Sequence, residues 1–95
     1  MKHEQQNYIV KMSKLLANAN RVLIVNLVAS QSRHEKLTVT EIAEKTGLEV
    51  NLVSNQLVKL RENNILKASQ SGTNMFYEVK DRRITQIVDQ MKKLA

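Results

Sequence analysis

The sequence predicts a mainly α domain with a small β-hairpin, in the order four helices, two strands and a closing helix. Three observations lead there. Apolar residues recur at three- and four-residue spacing in four separate stretches, as one face of a helix requires. A Thr38…Glu41 capping box, a Gly47 break and a second apolar-periodic stretch follow one another within residues 38–63, the layout of a helix-turn-helix. Directly after it, two short extended runs flank a Ser71-Gly72-Thr73-Asn74 turn, which reads as a hairpin. A hairpin placed there makes the helix-turn-helix a winged one.

The first helix spans about residues 4–17, with Tyr8, Ile9, Met12, Leu15 and Leu16 forming its apolar face. Asn18 can cap the second, from Ala19 to Ala29. Val22, Leu23, Ile24, Val25, Leu27 and Val28 are too continuous for a surface helix, which predicts the central, most buried one. Arg21 in its first turn then needs a partner or a route to water. Ser30–Lys36 is polar throughout and reads as a loop. His34 there, beside Glu35, is expected to be solvated rather than a metal ligand, since coordination normally needs three or four ligands.

Thr38 starts the third helix, Ile42 and Ala43 continue its apolar face, and Gly47 ends it by taking a left-handed conformation. Leu52, Val53, Leu57 and Leu60 mark the buried stripe of the fourth helix, and Asn64 is its terminator. Asn51, Ser54, Asn55 and Gln56 are then expected to point outward, where polar side chains can meet base edges in the major groove. The strands are expected at Ile65–Gln70 and Met75–Lys80. The tip and its flanks offer Lys67, Ser71, Thr73 and Asn74 to a duplex, and Lys45, Lys59 and Arg61 add cations for phosphates. Asp81 can cap the last helix, Arg82 to Leu94. Its stripe of Ile84, Ile87, Val88, Met91 and Leu94 needs covering by the first helix, a second chain or both. The expected dimer face is Tyr8, Met12, Leu15, Ile84, Ile87, Val88, Met91 and Leu94, carried by residues 4–17 and 82–94.

Composition narrows the function. A chain of 95 residues makes one domain with a modest core. A net charge of +6 and a pI near 9.8 favour a polyanionic partner. The absence of cysteine excludes disulfides and thiolate metal sites. No apolar run approaches the roughly 20 residues of a membrane span, and no secretory signal follows Lys2, so the expected place is the cytoplasm with no membrane partner. With two histidines at polar edges and no nucleophile–base pair, no enzyme is expected. The expected activity is sequence-specific binding of double-stranded DNA by a homodimer. The alternative is a winged-helix docking or dimerisation module that binds no specific sequence.

From about Met12 to Leu94 the chain resembles the ArsR/SmtB family of bacterial winged-helix repressors. The likeness runs through LLANANRVLIVNLV, LTVTEIAEKTGLEVNLVSNQLVKLRENNIL, KASQSGTNMFYEV and DRRITQIVDQMKKL. It implies a homodimer held by the first and last helices, two recognition helices in successive major grooves, and release of DNA when an effector binds; which effector is unknown. It implies base-facing roles for Val50, Asn51, Ser54 and Asn55. This chain departs from the family where Glu49-Val50-Asn51-Leu52 replaces a frequent Ser-Gln-Ser-Thr, and where the wing lacks the usual arginine. It departs again at the metal sites. Thr38 and Thr40 stand where many relatives have cysteines. Asp81 is kept at the other site, but Arg83 and Leu94 occupy the histidine positions. The expectation is therefore a repressor with no metal and no cofactor.

Overall fold

The computed structural model describes residues 2–31 and 35–94. It comprises α1 (His3–Leu16), α2 (Ala19–Ala29), β1 (Leu37–Thr38), α3 (Val39–Thr46), α4 (Val50–Glu62), β2 (Leu66–Ser71), β3 (Asn74–Val79) and α5 (Arg82–Leu94). The bounds of α2 and α5 coincide with those expected. His34 lies outside the described residues.

α2 is the hub. It packs against α1, α3, α4, α5 and β3, and Ile24, Val25 and Val28 are buried in it. Asn18 caps it by accepting the Arg21 backbone N–H at 3.1 Å. It holds the expected central place, but one side stays open, where Leu23 is 47% exposed. One chain has too few elements to cover every side of its central helix.

The helix-turn-helix forms as its local signals dictate. Thr38 Oγ1 accepts the Glu41 N–H at 3.2 Å while Glu41 Oε1 accepts the Thr38 N–H at 3.0 Å, so two otherwise orphaned donors are satisfied at the start of α3. Gly47 ends α3 at φ 76°, a backbone conformation that disfavours side chains. At the far end of α4, Asn64 takes φ 59°. The Ile65 N–H reaches back to the Leu60 carbonyl at 2.9 Å and the Asn64 N–H to that of Arg61 at 3.0 Å. This is a Schellman stop, with buried Leu60 and Ile65 supplying its usual apolar contact.

The sheet has three antiparallel strands in the order β1-β3-β2 rather than two. Leu37 pairs with Tyr77 and Thr38 with Phe76. A two-residue strand carries no alternation to read, so the sequence does not announce it. Ser71 pairs directly with Asn74, leaving Gly72 and Thr73 as the loop, with Gly72 at φ 62°. Both residues flanking the loop therefore belong to the strands instead of to a longer turn.

The core unites all the layers. Ile24, Ile42, Val53, Leu57, Leu60, Ile65, Leu66 and Ile84 are essentially inaccessible. Met12 and Leu15 of α1 and Ile84 and Val88 of α5 are also buried in it. This corrects the expected dimer face. These four residues are spent inside one chain, because α1 and α5 both dock on α2. Of that expected set, Tyr8 and Ile87 are half-buried and Met91 and Leu94 exposed. Outside that set, Ile9, Val10 and Leu23 are further exposed apolar side chains.

Candidate nucleic-acid interface

α4 buries Val53, Gln56, Leu57 and Leu60 and turns the rest of its circumference outward. Asn51 and Asn55 are exposed, Ser54 is half-buried, and Val50 is 48% exposed at the helix start. Asn51, Asn55 and Lys59 follow one another at four-residue spacing and so share one ridge. The ridge carries amide groups that both donate and accept, followed by a cation. That is the chemistry of base edges bordered by phosphates.

Gln56 is the exception to the expected outward set. It is only 7% exposed, and its Oε1 accepts from Arg21 Nε at 2.8 Å. It cannot read a base from there. Its spacing carried the signal, since 53, 56, 57 and 60 make one continuous stripe and a glutamine within it points inward. The same bond supplies the partner that Arg21 required. It ties the first turn of α2 to the middle of α4, so the recognition helix is held by a polar cross-link as well as by apolar packing.

The cations differ in availability. Lys45, Lys59 and Arg61 are exposed and enter no ion pair among the described residues. Lys67 does pair, with Nζ 3.1 Å from Glu78 Oε1 across the β2–β3 ladder. A phosphate would have to compete with that carboxylate. The wing tip is uncharged, and Ser71, Thr73 and Asn74 are all exposed. Glu49 is the N-cap of α4 but makes no side-chain capping bond. Its charge still suits the positive end of the helix.

At the start of α5, Asp81 accepts the Arg83 backbone N–H at 2.9 Å through Oδ1 and pairs with the Arg83 guanidinium at 3.0 Å through Oδ2. That guanidinium holds the Asp81 carboxyl below the usual aspartate range. It also lies 4.4 Å from the centroid of the Tyr8 ring, a cation–π contact joining α5 to α1. The Tyr8 hydroxyl is buried with no hydrogen-bond partner among the described residues, and burial pushes its pKa up. Among the described residues, no three His, Asp or Glu side chains come together as metal ligands would. No described helix is long and apolar enough to cross a membrane.

Comparison with known proteins supports the winged helix-turn-helix fold. The chain is 29% identical over 85 residues to the HTH-type transcriptional regulator KmtR of Mycobacterium tuberculosis, covering 90% of this chain and 62% of that protein; it thus spans about three-fifths of that relative's length. The crystal structure of the antimony-specific transcriptional repressor AntR superposes with a TM-score of 0.82 at 29% identity, covering 98% of this chain and 81% of that one. The winged helix-turn-helix domain Mb0332 of Mycobacterium bovis, described as homodimeric, has the same fold, with a TM-score of 0.77 at 22% identity over 96% of this chain and 81% of its own. Residues 18–68, from the cap of α2 into β2, match the model of the bacterial regulatory proteins of the arsR family, and the chain belongs to that family.

Proposed function

We propose that this protein is a metal-independent transcriptional repressor that binds double-stranded DNA as a homodimer. The observation that carries the reading is the outer ridge of α4, where Asn51 and Asn55 stand exposed while Val53, Leu57 and Leu60 are buried behind them. Asn51, Ser54 and Asn55 take base contacts, with Val50 available for apolar contact with a thymine methyl group. Lys45, Lys59, Arg61 and, in competition with Glu78, Lys67 take phosphates. Ser71, Thr73 and Asn74 lie along the backbone beside them.

Support for the homodimer comes from apolar surface the single chain leaves uncovered. A groove of about 230 Å³ runs between α1, α2 and α5, lined by Leu23, Ile87 and Met91 above the buried Met12, Leu15 and Val88. The dimer face is thus the outer rim of these helices, with Leu23, Ile87, Met91 and Leu94 at its centre. Metal independence is supported by the state of Asp81. Both of its oxygens are engaged by Arg83, whose permanent positive charge opposes a cation at the same place.

Selection of bound sequences from a random duplex pool tests the reading. Half-sites related by a twofold axis and separated by about one helical turn, or a multiple of it, are expected. Zinc or a chelator should leave the affinity unchanged. Failure to retard any duplex at low salt would make the molecule a protein-docking module instead.

A further inference from the structure

α1, the first turn of α2 and the last turns of α4 enclose a cleft of about 420 Å³. Lys11, Lys14, Arg21 and Lys59 line it, Asn63 sits among them, and no Asp or Glu lines it among the described residues. None of these four cations enters an ion pair among the described residues. Positive charges converging on one concavity, with low-dielectric walls behind them, concentrate the field and draw in anions. Arg21 commits only its Nε, to Gln56, and its terminal nitrogens have no protein hydrogen bond among the described residues. Such a fork suits two oxygens of one tetrahedral oxyanion. Lys59 is shared with the ridge of α4, so the cleft begins where the row Asn51, Asn55, Lys59 ends. Lys11 and Lys14, by contrast, belong to α1, outside both the helix-turn-helix and the wing.

We propose that this cleft is a phosphate-binding site that takes backbone phosphates of a duplex seated on α4, and so carries the nucleic-acid interface onto α1. The assignment rests on the duplex-binding reading above. The same chemistry could be supplied by a free phosphoryl anion. Continuity with the α4 ridge through Lys59 favours the duplex.

The double variant Lys11→Gln/Lys14→Gln, with Lys14→Gln alone should the pair fold poorly by circular dichroism, decides the matter in two arms. In the first, duplex affinity is measured from low to high salt. Each phosphate contact contributes roughly 0.9 to the slope of log affinity against log salt. The double variant should therefore lose nearly two from that slope, with equal weakening on selected and random duplexes. In the second, inorganic pyrophosphate is titrated at constant ionic strength, against a chloride control, while amide resonances of α1 and of Lys59 are followed. An unchanged slope together with pyrophosphate shifts seen only in the wild type would assign the site to a free anion. An unchanged slope with no pyrophosphate response overturns the proposal. If wild-type protein retards no duplex, the duplex reading itself falls, and the pyrophosphate arm still decides the cleft.

Discussion

α4 and α5 are both 13-residue amphipathic helices that dock on α2, yet they differ in what they leave uncovered, although Val50 and Val58 of α4 are also exposed. α4 buries Val53, Leu57 and Leu60 and presents Asn51, Ser54 and Asn55. α5 buries Ile84 and Val88 and still presents Met91 and Leu94. What a helix buries explains how the chain folds; what it leaves exposed indicates what it meets next. Polar groups that lose little by staying in water suit a wet, hydrogen-bonding surface such as a DNA groove. An apolar remainder gains from being covered by another protein surface.

The sharpest contrast comes from removing apolar volume on each side of that divide. Leu57→Ala, in the α4 core at 1% exposure, should cost about 2–5 kcal/mol of unfolding free energy. That is a large share of the stability of so small a domain. In urea melts the loss should be the same at any protein concentration. Leu23→Asp, on the half-exposed outer side of α2, should instead act on assembly. A charge at the centre of a two-fold face appears twice, so self-association should weaken by about 2 kcal/mol or more, roughly thirtyfold. Sedimentation should then show monomer at concentrations where the wild type is dimeric. A Leu23→Asp protein that stayed dimeric and bound DNA normally would move the partner face elsewhere.

Substitutions on the polar side of α4 should leave folding alone and change recognition. Asn55→Ala should cost about 1–3 kcal/mol of duplex affinity and relax base preference at one position of each half-site. Binding to a panel of single-base operator variants measures this. Lys67→Ala should weaken all sequences about equally. It should lower the salt slope by less than a full phosphate contact, because Lys67 already spends part of its charge on Glu78.

The parts of this architecture written in local signals were legible in the sequence: the Thr38/Glu41 box, the Gly47 break, the Asn18 cap and the two end points of α5. Each depends on residues within a few positions of one another. The misjudged parts depend on the other elements. β1 exists only because β3 passes beside Leu37 and Thr38. Gln56 turns inward because Arg21 of α2 waits there. Met12, Leu15, Ile84 and Val88 are core rather than interface because α1 and α5 close on one α2. Apolar periodicity identifies the face of a helix that will be covered but not the chain that covers it. The basic cleft was equally hidden, since its four cations come from three helices and cluster only once these pack.

Acid titration separates the starts of α3 and α5 at the smallest scale. Glu41 at the start of α3 and Asp81 at the start of α5 both have pKa values below the ordinary carboxylate range. For Glu41 the leading cause is the Thr38 backbone N–H it accepts; for Asp81 it is the Arg83 guanidinium. In both cases the folded value lies below the unfolded one. The stabilisation is therefore fully present above about pH 4–5, where both carboxyls are ionised in either state, and is lost as pH falls through the folded values. Asp81→Asn and Glu41→Gln should each flatten part of the fall in melting temperature between about pH 5 and pH 3; the amide oxygen that replaces the Glu41 carboxylate can still accept the Thr38 N–H, so α3 keeps its cap. Salt then tells the two apart. An exposed ion pair is screened, whereas a short backbone hydrogen bond is much less so. Raising the salt should shrink the difference between wild type and Asp81→Asn while leaving that for Glu41→Gln nearly intact. Equal salt sensitivity at both positions would mean that the α5 start is held by its backbone cap alone, and that Arg83 is free to serve Tyr8 or a second chain.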